Sequence, residues 1–272
     1  MKNKVQIMGI LNVTPDSFSD GGRWNTEAAL EARIEQLISE GADIIDVGGE
    51  STRPFAEPVS AEDELARVIP AIRKIRACSD LPISIDTTKA VVAREALAAG
   101  ATMINDISAL RFDPEMIDVA RSFDGPVIIM HMQGNPGDMQ VRPQYEDVVA
   151  EINGFFGDRI DWMESQGVGR ARIIVDPGVG FGKTLEHNLS ILRNIQAFKI
   201  HGRPVLIGHS RKSFLGQLLD VSIDERDCPT ALISAFCSQQ DVDFLRVHAV
   251  RSTRDAIALA IALSGNQAVY NS

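Results

Sequence analysis

Residues 5–11 read VQIMGIL and residues 43–47 read DIIDV, and these are the first two of eight short apolar runs that decide the fold. The other six lie at 82–86 (PISID), 101–107 (ATMINDI), 126–130 (PVIIM), 172–176 (RIIVD), 204–208 (PVLIG) and 243–247 (DFLRV). Most of these runs are continuously apolar rather than alternating, which is typical of parallel strands buried on both faces. We therefore predict eight parallel strands.

Amphipathic helical patterns separate the apolar runs. They cover 26–40, 61–78, 88–99, 114–122, 145–166, 186–200, 212–219 with 228–239, and 252–263. Strand–helix alternation repeated eight times favours a closed barrel over an open sheet, and 272 residues are enough for one. We predict an α/β protein in which residues 1–272 form a single (β/α)8 TIM barrel, with the active site at the C-terminal ends of the strands.

Charge and composition limit the classes of partner. The formal net charge is −10, so the chain has no general electrostatic attraction to nucleic acids or anionic membranes. No apolar run approaches the about 18 residues of a membrane span, and no cleavage site follows the first run. Cys78, Cys228 and Cys237 lack the spacing of a zinc site or a disulfide framework. We expect a cytoplasmic protein that binds neither nucleic acid nor membrane.

Polar residues end all eight runs. They are Asn12, Asp46, Asp86, Asn105 with Asp106, His131, Asp176, His209 with Ser210, and Arg246 with His248. A single such residue is commonly a helix cap or a turn former. Eight of them at the same end of a barrel indicate a site.

These residues and their neighbours fall into two chemical sets. The first, which we call the acceptor cluster, consists of Asp46, Asp86, Asn105 and Asp176. The second, which we call the cationic cluster, consists of Arg53, Lys212, Arg246 and His248. Carboxylates only accept hydrogen bonds, so the acceptor cluster suits a flat ring rich in N–H donors. The ends of strands seven and eight are a recurring phosphate site in barrels, and residues 210–213 are predicted to open a helix that favours an anion. Together the two clusters predict an amino-heterocycle that carries a phosphate or diphosphate.

Loops after the strands support this interpretation. Residues 12–25 (NVTPDSFSDGGRWN) and 48–59 (GGESTRPFAEPV) are longer than the about 2–6 residues usual for such loops, and long loops often act as lids. Residues 176–183 (DPGVGFGK) hold three glycines that allow close backbone approach, although they lack the spacing of a phosphate-binding P-loop.

At these residues the chain resembles the dihydropteroate synthase family of folate biosynthesis. The matching stretches are MGILNVTPDSFSDGG (8–22), IIDVGGESTRP (44–54), ISIDTTK (83–89), INDI (104–107), MHMQGNP (130–136), DPGVGFGK (176–183), SRKS (210–213) and RVH (246–248). The resemblance implies a barrel, a homodimer and the joining of (7,8-dihydropterin-6-yl)methyl diphosphate to 4-aminobenzoate, with magnesium accompanying the diphosphate. The products would be 7,8-dihydropteroate and diphosphate, with the diphosphate leaving first in an SN1-like step.

The resemblance also implies roles for individual residues. Asp86, Asn105 and Asp176 would hold the pterin edge, with Lys212 near the ring and Met130 packed against it. Asn12 would contact the magnesium. The diphosphate would meet Thr52, Arg53, Arg246 and His248, and the 4-aminobenzoate pocket would comprise Phe18, Thr52, Pro54, Phe181, Lys212 and Ser213. Asp46, Asp86, Lys212, Arg246 and His248 are the expected catalytic residues.

Some features depart from the family pattern or favour another function. Ala249 stands where the family usually has Asp, and residues 229–232 read PTAL rather than a Gly-Ser-Leu-Ala-like start. His209 is either a neutral strand-end residue or a further substrate contact. Two rival hypotheses are a pterin-binding module that presents methyltetrahydrofolate to a cobalamin protein and a weakly active regulatory paralogue. His131 and His187 lack the spacing of metal ligands.

Overall fold

The computed structural model describes residues 4–14, 26–51, 58–134, 139 and 143–264. Within these ranges the strands are β1 Gln6–Asn12, β2 Ile44–Gly48, β3 Ile83–Asp86, β4 Met103–Asp106, β5 Val127–Met130, β6 Ile173–Asp176, β7 Leu206–Ile207 and β8 Phe244–Val247. The helices of the same ranges are α1 Thr26–Ser39, α2 Ala61–Cys78, α3 Ala90–Ala98, α4 Met116–Ser122, α5 Val148–Ser165, α6 Leu185–Arg193, α7 Ser213–Leu219, α8 Asp227–Ser238 and α9 Val250–Leu263.

The strands form one parallel barrel. Their order is β6-β5-β4-β3-β2-β1-β8-β7, and each strand pairs in parallel with its neighbours. An isolated parallel bridge between Val175 and Val205 joins the two ends of the sheet and closes the barrel. The predicted (β/α)8 architecture is confirmed.

Side chains along each strand alternate between the barrel interior and the surrounding helices. In β1, Ile7 and Leu11 belong to the large core between strands and helices, whereas Met8 belongs to a smaller cluster inside the barrel. The inner cluster consists of Met8, Ile44, Met103, Ile128, Ile174 and Leu206. The residues two positions further along these strands face the same way, and on three of the strands they are polar: Asp46, Asn105 and Asp176. On these strands the interior therefore changes from an apolar layer to a polar layer.

Helix ends use local hydrogen bonds to satisfy their free N–H groups. The Ser60 side chain caps α2 by accepting from the N–H of Asp63, and Thr184 with His187 forms a capping box on α6. Ala249 is the N-cap of α9 and has no side chain that can accept a hydrogen bond, which is the local consequence of alanine at this position. No helix in the described ranges is long and apolar enough to cross a membrane.

Candidate active site

The polar layer of the barrel contains the whole acceptor cluster. Asp46 lies two residues after Ile44, Asn105 two after Met103 and Asp176 two after Ile174, so all three point inward above the apolar cluster. All three side chains are buried. The strand-end inventory therefore predicted a real convergence of side chains, because parallel strands bring their carboxyl ends to one end of the barrel.

Arg246 binds two carboxylates of the acceptor cluster. Its Nε donates to Asp46 Oδ2 at 2.6 Å, and an Nη atom donates to Asp86 Oδ2 at 2.6 Å. The Nδ2 atom of Asn105 lies 3.4 Å from both carboxylate oxygens of Asp46. Arg246 was predicted as a member of the cationic cluster, and the structure adds that its guanidinium is paired with two carboxylates. Arg246 is on β8, which is next to β1, and its side chain reaches Asp46 on β2 and Asp86 on β3.

Burial and charge set the ionisation of this network. Burial alone would lower the pKa of Arg246, but Asp46 and Asp86 outweigh it and raise that pKa, so the guanidinium stays charged. Burial raises the pKa of the Asp86 carboxyl, and the nearby Arg246 opposes this shift. Burial also raises the pKa of Asp176 to about 6. The Gly178 N–H, Lys212 and Arg246 act in the opposite direction and lower this pKa, but they do not outweigh burial. Among the described residues, Asp46, Asp86 and Asp176 therefore surround the charged guanidinium of Arg246.

Asp176 is held by the glycine-rich loop that follows β6. Its Oδ1 accepts from the backbone N–H of Gly178 at 2.8 Å. Gly178 has φ +70, and a Cβ there would stand far inside van der Waals contact with the carbonyl oxygen of His131. Glycine is required at this position because the loop folds back onto the end of β5.

We expect Gly178→Ala to destabilise the protein far more than Gly202→Ala. Both glycines have positive φ, but a Cβ on Gly202 would meet nothing within 4 Å. Gly202→Ala therefore carries only the left-handed conformational cost of about 1–2 kcal/mol. Gly178→Ala adds the steric clash, for a total of about 3–5 kcal/mol. Urea denaturation of both variants measures the difference, and equal losses would contradict the close approach of this loop.

Lys183, at the end of the same loop, is a residue that the sequence analysis missed. Its Nζ donates to the carbonyl oxygens of Phe181 at 2.8 Å and His131 at 3.2 Å, and it lies 3.2 Å from His131 Nδ1. Burial lowers the pKa of Lys183 to about 7 and that of His131 to about 2. Lys183 thus joins the loop to the end of β5. A lysine that follows three glycines was the only signal for it.

A mixed apolar and cationic wall stands beside Asp176. Met130 and Phe181 belong to one buried apolar cluster, and Lys212 Nζ lies 3.9 Å from the centroid of the Phe181 ring. Gly180 makes room for Lys212, because a Cβ there would lie 2.9 Å from Lys212 Cδ. Ser213 begins α7 and is exposed. The arrangement combines a cation, an aromatic face and a flexible methionine beside the acceptor cluster.

Arg211 lies next to Lys212 but does not belong to the cationic cluster. Its guanidinium binds the Asp227 carboxylate through two hydrogen bonds of 2.6 and 2.7 Å. The predicted helix opening at residues 210–213 is corrected, because α7 begins at Ser213 and Arg211 has a φ of 55° in the preceding turn. His248 stays near this end of the barrel, where its carbonyl accepts from Arg33 at 2.6 Å.

Two other strand-end residues serve the scaffold. Asp106 accepts from the N–H groups of Ser108 and Leu110 at 2.7 and 3.1 Å, which holds the loop after β4. His209 is fully buried, and its Nε2 lies 3.0 Å from both the Thr230 carbonyl and the Ser234 hydroxyl of α8. Of the two hypotheses for His209, the structure therefore favours the neutral scaffold residue.

Two side-chain oxygen donors, Asn12 Oδ1 and Asp86 Oδ2, lie near Gly48 at the carboxyl ends of β1, β2 and β3. Asn12, Gly48 and Asp86 are aligned by strand register. A Cβ on Gly48 would lie 3.8 Å from Asn12 Oδ1 and 3.7 Å from Asp86 Oδ2. In the described part of the chain no three His, Cys, Asp or Glu side chains are grouped to hold a metal ion. The donors fit a magnesium ion that takes most of its ligands from water and a bound phosphate.

Four predicted site residues lie outside the described residues. They are Phe18, Thr52, Arg53 and Pro54. Their expected roles toward 4-aminobenzoate and diphosphate therefore stay predictions.

Comparison with known proteins places these features in a family. The profile of the pterin binding enzymes matches residues 8–248. A Synechocystis protein named dihydropteroate synthase is 45% identical over 261 residues, which cover 96% of this chain and 90% of that protein.

Solved structures agree with the sequence comparison. Yersinia pestis dihydropteroate synthase with a sulfonamide drug complex superposes with a TM-score of 0.90 at 41% identity, covering 96% of this chain and 94% of that one. The Xanthomonas albilineans enzyme with 4-aminobenzoic acid gives 0.89 at 44% identity, covering 98% and 94%. Its complex with 7,8-dihydropteroate gives 0.86 at 40% identity, covering 99% and 96%. The chain belongs to the pterin binding enzyme family, among its dihydropteroate synthases.

Proposed function

We propose that this chain is a transferase that condenses (7,8-dihydropterin-6-yl)methyl diphosphate with 4-aminobenzoate, giving 7,8-dihydropteroate and diphosphate. The observation that carries the proposal is the buried Asp46–Arg246–Asp86 network beside Asn105 and Asp176. An amino-heterocycle offers N–H donors to such acceptors. The named ligands of the related Xanthomonas albilineans structures agree with both halves of the reaction.

The reaction begins with loss of diphosphate from the pterin methylene. The C–O bond breaks with both electrons leaving on the diphosphate, and the electron-rich ring delocalises the positive charge that remains. The acceptor cluster contains three carboxylates, Asp46, Asp86 and Asp176, and the guanidinium of Arg246 lies among them. The cluster therefore has a net negative charge when these carboxylates are ionised. This charge stabilises the developing cation.

The second half of the reaction forms the C–N bond. The amine of 4-aminobenzoate attacks the methylene cation and then loses a proton. Phe181 and Lys212 form one wall of the 4-aminobenzoate pocket, where the ammonium group suits the substrate carboxylate, and Ser213 stands at its rim. Met130 packs against the pterin. No nucleophilic side chain is required, because the protein acts by positioning and by electrostatics.

Residues of the cationic cluster bind the leaving diphosphate. His248 and Arg246 contact the diphosphate, together with Thr52 and Arg53. Asn12 would hold a magnesium ion, which would supply positive charge to the leaving diphosphate. Phe18 and Pro54 complete the 4-aminobenzoate pocket.

An assay coupled to diphosphate release tests this function. Purified protein is given the pterin diphosphate and 4-aminobenzoate, with and without magnesium, and dihydropteroate is identified by mass spectrometry. We expect stoichiometric dihydropteroate and diphosphate, and slower turnover after chelation. Binding of the pterin without product formation would instead support the pterin-presenting module.

The chain forms a homodimer through an apolar face of α8 and α9, which we call the α8–α9 patch. It consists of Leu232, Phe236, Leu259 and Leu263. Their exposed fractions are 65%, 52%, 64% and 87%, and a cluster of large exposed apolar side chains marks an interaction surface. On α9, Ile257 is buried and Ile261 packs on the core, so Leu259 and Leu263 are the apolar residues that this helix contributes to the patch.

We expect Leu232→Glu with Leu259→Glu to convert a dimer into a monomer. Two buried like charges in a self-complementary interface are costly because the same patch meets itself. Light scattering after size exclusion should give twice the 29.6 kDa chain mass for the wild type and 29.6 kDa for the variant. Ile200→Glu is the control, since Ile200 is 75% exposed on a segment that packs against α5. A monomeric wild type would contradict the dimer.

The cytoplasm is the proposed location. Cys78, Cys228 and Cys237 are all free thiols, and two of them are exposed. Exposed free thiols fit a reducing compartment.

A further inference from the structure

Ser210, which the proposed mechanism does not use, is joined to His248 by two contacts. Its hydroxyl oxygen accepts from the backbone N–H of His248 at 3.1 Å. The same oxygen lies 2.9 Å from Nδ1 of the His248 ring. Ser210 is only 5% exposed, so its hydroxyl has little access to water. The two residues lie at the ends of β7 and β8, which pair side by side.

The number of protons in this contact decides the tautomer of His248. The Ser210 oxygen already accepts one N–H, and its own proton needs an acceptor. Within the described residues, Nδ1 of His248 is the acceptor within reach. If Nδ1 carried the proton instead, the buried hydroxyl proton of Ser210 would have no partner, at a cost of about 1–3 kcal/mol. The hydroxyl therefore donates to Nδ1, and the ring keeps its single proton on Nε2.

Surrounding groups keep this ring neutral. The pKa of His248 is lowered to about 3, chiefly by burial. The positive charges of Arg211, Arg246, Arg33 and Lys212 lower it further. Arg33 also fixes the backbone, since it donates to the His248 carbonyl at 2.6 Å. Within the described part of the chain, Nε2 has no hydrogen-bond partner. A neutral imidazole with its N–H on Nε2 is a donor that suits a phosphate oxygen.

We infer that Ser210 is a positioning residue that holds His248 as a neutral Nε2–H donor for the diphosphate of the substrate. This inference rests on the proposed function, because it needs an anion at His248. It adds a residue to the site that acts only through another side chain. It also gives His248 the task of hydrogen bonding rather than of supplying a positive charge.

Nitrogen NMR on the wild-type protein tests the tautomer directly. Histidine is labelled with ¹⁵N, and the signal of His248 among the five histidines is assigned by its loss in His248→Gln. We expect Nδ1 to have the shift of an unprotonated ring nitrogen and Nε2 that of a protonated one, with and without inorganic diphosphate. A proton on Nδ1, or a doubly protonated ring at pH 7, overturns the inference.

Kinetics of Ser210 variants test the consequence. Ser210→Ala should lower kcat/KM for the pterin diphosphate and weaken binding of inorganic diphosphate by about tenfold each, the value of one hydrogen bond to a charged group. KM for 4-aminobenzoate should stay within about twofold, because that substrate does not contact His248. Ser210→Thr keeps the hydroxyl and should retain more activity than Ser210→Ala.

A second pair of variants mimics the two tautomers. The His248→Gln side chain places an amide N–H near the position of Nε2, whereas the shorter His248→Asn places it near Nδ1. We expect His248→Gln to retain about tenfold more activity than His248→Asn. Equal activity of the two, or equal loss of affinity for both substrates in Ser210→Ala, overturns the positioning role. Absence of dihydropteroate with the wild type would instead refute the proposed function, and the NMR result would still report on the tautomer.

Discussion

Replacing Arg246 with alanine removes the guanidinium that binds both Asp46 and Asp86, and both stability and turnover are expected to fall sharply. Arg246 contacts each carboxylate at 2.6 Å, and its side chain is only 18% exposed. Removing one partner of a buried ion pair costs about 3–5 kcal/mol, because the remaining charge is left unpaired. Here two carboxylates are left without a cation and repel each other.

The loss of stability in Arg246→Ala should depend on pH in a defined direction. Burial raises the pKa of Asp86 above its unfolded value, and Arg246 opposes that shift, so its removal raises the pKa further. A carboxyl with a raised folded-state pKa contributes most stability below its unfolded pKa and loses it as pH rises through the folded pKa. The variant should therefore be closer to wild type at pH 6 than at pH 8. Urea denaturation at both values measures this, and equal destabilisation would contradict the ion network.

The effect of Arg246 on catalysis can be separated from its effect on stability. Turnover should fall by about 10²–10³, the usual effect of removing one donor to developing charge. Arg246→Ala combined with Asp46→Asn removes one of the unpaired carboxylates, so this double variant should recover stability without recovering turnover. Arg246→Lys retains a cation but cannot contact both carboxylates at once, so its turnover should lie between those of the wild type and Arg246→Ala. An unchanged kcat/KM for the pterin diphosphate in Arg246→Ala would refute its leaving-group role.

Sequence patterns predicted the barrel and its polar end, but not the pairing of side chains. The apolar runs located all eight strands because a strand buried on both faces needs apolar residues throughout. The shift from Ile44 to Asp46 also marks where the interior becomes polar, since both residues face inward. The strand boundaries were predicted less accurately. The predicted strand at 204–208, for example, is β7 at Leu206–Ile207 in the structure.

The missed features depend on partners that are distant in sequence or that carry no sequence signal. Arg246 and Asp46 are 200 residues apart, and which carboxylate an arginine meets depends on strand order in the closed barrel. Arg211 lies in the segment 210–213 that was predicted to favour an anion, but its guanidinium binds Asp227 at the start of α8. Lys183 could not be recognised because its partners are backbone carbonyls, which every residue has.

Asp86→Asn is expected to slow diphosphate release by about 10²–10³ while the fold persists. Asparagine has nearly the same shape as aspartate and can still accept from Arg246, but it removes a full negative charge next to the pterin. If diphosphate leaves before the amine attacks, that charge acts on the first step. Rapid-quench measurement of diphosphate release without 4-aminobenzoate isolates this step from the later C–N bond formation.

A matched control exists on the neighbouring strand. Asp106 is a buried carboxylate at the end of β4, but it accepts from the loop N–H groups of Ser108 and Leu110 rather than facing the acceptor cluster. Asp106→Asn should cost about 1–3 kcal/mol of stability through its weakened loop contacts. Its rate of diphosphate release should remain within about twofold of wild type. Similar slowing in both variants would mean that the effect of Asp86 comes from general loosening of the barrel.

The pH dependence of release gives an independent check on the charge argument. Burial raises the pKa of Asp176 to about 6, so this carboxyl takes up a proton as pH falls through that value. Burial raises the pKa of Asp86 as well, to about 7. A protonated carboxyl no longer stabilises a neighbouring cation, and release by the wild type should therefore slow as pH falls below about 7. In Asp86→Asn the part of this acid limb that belongs to Asp86 should be lost, which leaves a lower plateau and a limb set by Asp176. If Asp86→Asn released diphosphate at the wild-type rate, the leaving group would depart without help from this carboxylate, and catalysis of that step would have to come from the cationic side of the site.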